Sequence, residues 1–229
     1  MIEVTDVSHS YAAAGRPVLR DLTVRLDEQR IGVIGANGSG KSTFARLLNG
    51  LVLPTTGSVR IDGHDTRRDG RQVRRLVGFC FTDPDAQIVM PTVAEDVAFS
   101  LRQRGLPKAA VSARVTDTLA RFGLADHADH PAHLLSGGQK QLLALAAVLV
   151  TEPKLLVLDE PTTLLDLRNA RQIMALIAGL DEQVVLLTHH LDLLSDFDRV
   201  LVFDQGQIVA DASPAAAIDH YQQLMRTSG

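Results

Sequence analysis

The sequence has a single cysteine, Cys80. A lone thiol cannot close an internal disulfide, so nothing here calls for an oxidising compartment. With no metal-ligand spacing around it, Cys80 reads as a small core residue. Long apolar runs are missing as well. The longest extends only from Leu142 to Val150, well short of the roughly 20 residues that cross a bilayer. The opening residues include Glu3 and Asp6 and no basic or apolar leader, so no secretory signal is expected. Positive charge is not in surplus: 23 Lys and Arg stand against 27 Asp and Glu, a formal charge of −4. That balance argues against a dedicated nucleic-acid binder. The sequence has no internal repeat and no low-complexity tract. What remains is 229 residues, 45% apolar and 22% charged, enough for one substantial core with a subdomain set into it.

Period-two patterns at Ile2–Val7 and Val18–Leu26 predict two N-terminal strands, and Arg30–Ile34 predicts a buried one. A helix is expected over Ser42–Leu48 and another strand over Ser58–Ile61. The middle of the chain changes character. Thr92–Arg104, Lys108–Phe122 and Gly138–Val150 carry helical patterns, with Gly105-Leu106-Pro107 as a breaker and Asp126–His133 as a loop. Strand patterns resume at Leu155–Leu158, Val184–Thr188 and Val200–Phe203, with a helix at Arg168–Ala178. Strand, loop and helix in repetition predict an α/β fold, a mostly parallel sheet flanked by helices. The expected division is a core of residues 1–85 and 149–229 with a helical insertion at 86–148.

One segment carries clear chemistry. Gly35-Ala36-Asn37-Gly38-Ser39-Gly40-Lys41-Ser42, followed by Thr43, matches G-x-x-x-x-G-K-[ST] at every fixed position and lies between a strand and a helix start. Glycines let the backbone bend so that successive N–H groups point at phosphate oxygens. The helix that begins beside Lys41 adds its positive dipole end. In this arrangement Lys41 reaches the β- and γ-phosphates of ATP and the Ser42 hydroxyl ligates Mg²⁺.

A second segment, Leu155–Leu158, ends in Asp159 and Glu160. A buried strand terminating beside the phosphate loop places Asp159 near the metal. Glu160 points elsewhere, where it can orient or activate a water. His189 directly follows the strand Val184–Thr188, at the ligand-binding edge of an open α/β sheet, where it can hydrogen-bond a γ-phosphate. Its neighbour His190 differs only in the side it faces. The remaining histidines, including His127, His130 and His133, read as solvated or loop residues without a closed metal site.

Leu135-Ser136-Gly137-Gly138-Gln139 alone would be a helix N-cap. Together with the phosphate loop, Leu158-Asp159-Glu160-Pro161, Leu165-Asp166 and Thr188-His189, in this order, it resembles the nucleotide-binding subunits of ATP-binding-cassette transporters over almost the whole chain. The resemblance implies a P-loop NTPase core with N-terminal antiparallel strands and an inserted α-helical subdomain. It also implies a head-to-tail dimer with two ATP molecules at the interface. Each ATP would lie between one subunit's Lys41 and Ser136 and Gly138 of the other, with Gly137 and Gln139 completing the second wall. An identical second subunit is expected, since no motif is degraded. Tyr11 stands where the family's aromatic stacks on adenine, and Asp166 where an aspartate communicates across the dimer.

Within the family, the segment from Phe81 to Phe99 resembles the energy-coupling-factor branch, whose ATPases serve vitamin and transition-metal uptake. That implies a transmembrane coupling protein, a separate membrane substrate-binding protein and peripheral attachment at the cytoplasmic face of the cell membrane. Overall resemblance favours a biotin uptake system, with the cobalt or nickel type second. The chain departs from the family at Thr82, where a metal-ligating glutamine is usual. Either Thr82 or the nearby Gln87 is expected to stand in for it. Leu142, where many relatives have arginine, and Leu164 are smaller departures.

Overall fold

The structure, a computed structural model, describes residues 1–11 and 17–227. The chain begins with β1 (Ile2–His9), β2 (Leu19–Leu26) and β3 (Arg30–Gly35), then α1 (Lys41–Leu48), β4 (Thr56–Ile61), β5 (His64–Asp65) and α2 (Gly70–Leu76). Strand β6 (Val77–Cys80) leads to three helices, α3 (Val93–Ser100), α4 (Lys108–Arg121) and α5 (Gly137–Leu149). The order closes with β7 (Leu155–Asp159), α6 (Leu167–Ala178), β8 (Gln183–Leu187), β9 (Arg199–Asp204), β10 (Gln207–Ala212) and α7 (Pro214–Thr227). These elements form two compact units. The first comprises Met1–Val77, Lys154–Glu160 and Asp181–Gly229; the second comprises Gly78–Pro153 and Pro161–Leu180.

The first unit holds an antiparallel sheet in the order β2-β1-β4-β5 and a second sheet in which β10-β9-β3-β8-β7 are neighbours. In the second sheet β9, β3, β8 and β7 run parallel and β10 is antiparallel to β9. The parallel strands are apolar on both faces: Ile31, Val33 and Ile34, Leu156–Leu158 and Val184–Leu187 are fully buried, the pattern of a sheet covered on both sides. Helix α1 buries Phe44, Leu47 and Leu48, with Phe44 against Phe203 of β9 at 5.1 Å between ring centroids.

Register decides what meets at the carboxyl edge. Val33 of β3 and Asp159 of β7 both pair with Leu187 of β8, while Gly35 pairs with Phe203. The loop after β3, the acids after β7 and the histidines after β8 therefore leave the sheet side by side. Gly35 has to be glycine: its φ is +152°, and a Cβ there would lie 2.2 Å from the Phe203 carbonyl oxygen.

The second unit is helical. α5 buries nearly its whole length from Gln141 to Leu149, and α3 is closed at its start by a Thr92–Glu95 capping box. Helical character was expected over Thr92–Arg104, but α3 ends at Ser100. From there, bonds such as Arg102 N–H to Phe99 C=O and Arg104 N–H to Leu101 C=O tighten the chain into turns before Gly105, at φ +67°. Besides the short β5 and β6, three elements without a clear apolar pattern in the sequence emerge only here. Helix α2 buries Val73 alone among its arginines, β10 is half-exposed throughout, and α7 buries only Ala217. Among the described residues no helix is long and apolar enough to cross a membrane.

Candidate nucleotide site

The phosphate loop opens where β3 ends. Gly40 takes a left-handed conformation, φ +104°, and turns the chain into α1, so the helix begins with Lys41. Phe44 N–H is the first to bond back within the helix, to Gly40 C=O; the amides before it face the loop. A cavity of about 190 Å³ is lined by Asn37 to Thr43, Val18 and Glu160. Ala36 lies at the loop's start, where its carbonyl accepts from Ser39 N–H at 3.1 Å. Ser39 Oγ, which belongs to the lining, is buried without a hydrogen-bond partner. A buried orphan hydroxyl beside unbonded amides is what an anion's oxygens would satisfy.

Lys41 is buried, and its Nζ donates to Gly35 C=O at 2.5 Å and Ala36 C=O at 3.0 Å. Burial pulls its pKa below the ordinary lysine range, with Glu160 and Asp159 opposing. Ser42 Oγ donates to Asp159 Oδ1 at 3.1 Å. The Asp159 carboxyl is pushed above the ordinary carboxylate range by burial, against the Ser42 hydrogen bond and the positive charges of Arg46 and Lys41, while Glu160 adds to the rise.

Glu160 stands in the left-handed region at φ +54°, and its N–H donates to Leu187 C=O at 3.0 Å. Such a conformation in a non-glycine residue costs on the order of 1–3 kcal/mol. It turns the carboxylate away from Asp159 towards His189. Because a carboxylate only accepts, His189 Nδ1 donates to Glu160 Oε2, at 2.9 Å. This separates the two histidines: His189 reaches the acid, whereas His190 lies against the His189 ring at 4.1 Å between centroids. Tyr11, half-exposed, sits edge-on to His9 at 4.7 Å with its hydroxyl 3.4 Å from Thr43 Oγ1.

In the second unit Ser136 caps α5. Its hydroxyl accepts from Gln139 N–H at 3.3 Å while Gln139 Oε1 accepts from Ser136 N–H at 2.9 Å. Gly137 is exposed and a Cβ there meets nothing, whereas a Cβ on Gly138 would fall 2.7 Å from the Asn169 side chain. Asp166 caps α6, accepting from Asn169 N–H at 2.8 Å. Leu134, at 72%, and Leu164 and Leu167, at 65%, are the most exposed large apolar residues described.

Residues 19–163 match the ABC transporter family. The chain belongs to that family. The biotin transport ATP-binding protein BioM of Rhizobium etli is 51% identical over 91% of this chain and 93% of its own length. The energy-coupling factor transporter ATP-binding protein EcfA1 of Caldanaerobacter subterraneus is 38% identical over 99% and 85%. Among solved structures, cbiO1 of Clostridium perfringens, part of the ABC transporter complex cbiONQ, superposes with a TM-score of 0.85. It is 31% identical over 99% of this chain and 93% of that one. This cassette is the ATP-binding subunit of an energy-coupling-factor importer, and it couples ATP hydrolysis to transport.

Thr82 and Gln87, the two residues expected to stand in for the family's glutamine, follow β6 in the second unit. Gln87 has both ends of its amide engaged, Oε1 accepting from Phe81 N–H at 3.1 Å and Nε2 donating to Ala144 C=O at 3.0 Å. It braces the Phe81–Gln87 loop against α5. Thr82 is half-buried. The remaining histidines divide by burial. His9 is buried in β1, its Nδ1 3.0 Å from Leu53 C=O, and His127 contacts Gln139. His127 is half-buried in the loop where it was expected, whereas the burial of His9 is not announced by its sequence spacing.

The raised Asp159 pKa makes a stability prediction. The folded state holds this proton more tightly than the unfolded chain. Stability from the group is therefore complete below the ordinary carboxylate pKa and is lost as pH rises through the raised value. At neutral pH the burial of this carboxyl therefore opposes folding of the nucleotide-free protein. Asp159→Asn should raise the thermal midpoint there by about 2–4 °C and abolish divalent-cation-dependent turnover. Calorimetry across pH tests this; a lower midpoint at neutral pH would contradict the account.

Proposed function

We propose that this chain hydrolyses ATP as one half of a symmetric homodimer that drives biotin uptake. The observation that carries the reading is the convergence at one sheet edge of the Lys41 loop, the Ser42–Asp159 pair and the Glu160–His189 pair. The loop amides and Lys41 hold the β- and γ-phosphates. Glu160 takes a proton from the attacking water as its oxygen bonds to the γ-phosphorus, the bond to the ADP oxygen breaks, and inorganic phosphate leaves. His189 holds the Glu160 carboxylate in position. Tyr11 offers its exposed face to the adenine.

Ser42 and Asp159 fit Mg²⁺: both present hard oxygens, and a buried carboxylate that resists ionisation gains from a cation. Mg²⁺ there supplies neutralisation of the phosphate charge. The part given to Thr82 rests on its place in the sequence, where the family carries glutamine.

The first unit's loop covers phosphate from one side only. The other wall is proposed to be Ser136, Gly137, Gly138 and Gln139 of the partner subunit, where a helix start presents free amides. The exposure of Leu134, Leu164 and Leu167 supports burial of this surface in a dimer. The dimer is proposed to work beneath a transmembrane coupling protein and a membrane substrate-binding protein, peripheral at the cytoplasmic face. Biotin as cargo is supported by the 51% identity to a biotin transport ATP-binding protein. In a native cell unable to make biotin, deleting this chain should raise the external biotin needed for growth, with restoration by the intact chain and not by Glu160→Gln. An unchanged biotin requirement with altered cobalt or nickel accumulation would overturn the cargo assignment.

A further inference from the structure

The second unit contains a hydrogen-bond chain that fixes its own direction. Gln139 Oε1 receives the Ser136 backbone N–H at 2.9 Å. A backbone N–H can only donate, so the Gln139 amide cannot be turned the other way. Its Nε2 then lies 2.9 Å from Nε2 of His127, which sits in the short turn Ala125–His127 after α4. An amide nitrogen also only donates, so His127 Nε2 must be bare. A neutral imidazole carries its one proton on the other nitrogen. That nitrogen, Nδ1, is 2.7 Å from Nδ1 of His130, with the rings tilted by 60°. His130 accepts there and keeps its own proton on Nε2.

We propose that His127, backed by His130, is a positioning residue for the Ser136 end of α5. The chain Ser136 N–H to Gln139, Gln139 to His127 and His127 to His130 locks the Gln139 side chain onto the Ser136 amide. The Ser136 hydroxyl proton and the Gly137 and Gly138 amides are thereby left directed outward. A Gln139 released from His127 can rotate, and the capping box that aims these groups loses its fixed half. The Asp126–His133 segment thus belongs to the phosphate-binding apparatus. This inference rests on the reading of Ser136–Gln139 as the second wall of the ATP site.

The test has two arms, and the first needs no nucleotide. Nitrogen-15 NMR of the histidine rings in the nucleotide-free full chain, assigned with His127→Gln and His130→Asn, should show His127 protonated at Nδ1 and His130 at Nε2. His127 protonated at Nε2, or at both nitrogens, would overturn the proposal. The second arm measures ATP-dependent dimerisation in the Glu160→Gln background. His127→Leu should raise the ATP needed by about tenfold, the size of one lost hydrogen bond at a partly buried group. His127→Gln, whose Oε1 can accept from Gln139 as His127 Nε2 does, should recover to within about twofold. A leucine variant that dimerises like its parent, or a glutamine variant as weak as leucine, would also defeat it. Failure of the Glu160→Gln parent to dimerise would instead remove the sandwich reading, and the ring tautomers would still decide whether the relay exists.

Discussion

Glu160→Gln should lower ATP turnover on the order of a thousandfold, the range for a general base, while leaving ATP binding intact and trapping a stable ATP-bound dimer. The substitution changes very little else. Glutamine has the shape of glutamate, and its Oε1 can still accept the His189 Nδ1 proton now held by Glu160 Oε2 at 2.9 Å. The left-handed backbone at φ +54° and the bond from its N–H to Leu187 C=O do not depend on the carboxylate. What disappears is the capacity to take a proton. A variant that binds ATP, dimerises and fails to turn over would isolate that step. Single-turnover phosphate release at the parent rate would remove Glu160 from the mechanism. His189 gives a useful contrast, because it touches the acid in this structure, and its loss should act through the orientation of Glu160 with a smaller effect.

The phosphate loop was legible because everything it requires is local: the glycines, Lys41 and Ser42 sit in one short segment between a strand and a helix. Asp159 and Glu160 were legible as acids at a strand end. Their division of labour follows from the positive φ of Glu160, which turns adjacent carboxylates to different partners, one to Ser42 and one to His189. The choice between His189 and His190 needed the fold, which brings His189 Nδ1 to 2.9 Å from Glu160 Oε2 and leaves His190 against the His189 ring. Gln87 illustrates the limit of spacing arguments. Its amide is tied to Ala144, 57 residues on, and that commitment has no local signature. His127 is similar: a histidine in a polar loop carries no sign that the fold places Gln139 beside it. The missed elements have a different cause. With only Val73 buried in α2 and only Ala217 in α7, there is almost no apolar period to detect.

Lys41→Met should weaken ATP binding on the order of a hundredfold or more, the loss of charge-assisted bonds to phosphate, and should leave no measurable turnover. The nucleotide-free fold should not suffer. Lys41 is buried with its ammonium folded onto the Gly35 and Ala36 carbonyls, and burial lowers its pKa. A lowered folded-state value means that the unfolded chain binds the proton more tightly. Stability from this group therefore rises with pH between the lowered value and the ordinary lysine range, and at neutral pH the charge opposes folding. Methionine keeps most of the stem and removes the charge, so the thermal midpoint of the nucleotide-free protein should hold steady or rise. ATP should raise the midpoint of the parent and not of the variant. A fall in the nucleotide-free midpoint, or retained ATP binding, would contradict this account. Lys41 and Asp159 then share one logic. Burial opposes the charge of each, positive on one and negative on the other, and phosphate or metal bound beside it offsets that cost. Binding of ATP and Mg²⁺ therefore relieves a cost built into the fold, so the changes that abolish function at these two positions are the ones expected to stabilise the nucleotide-free protein.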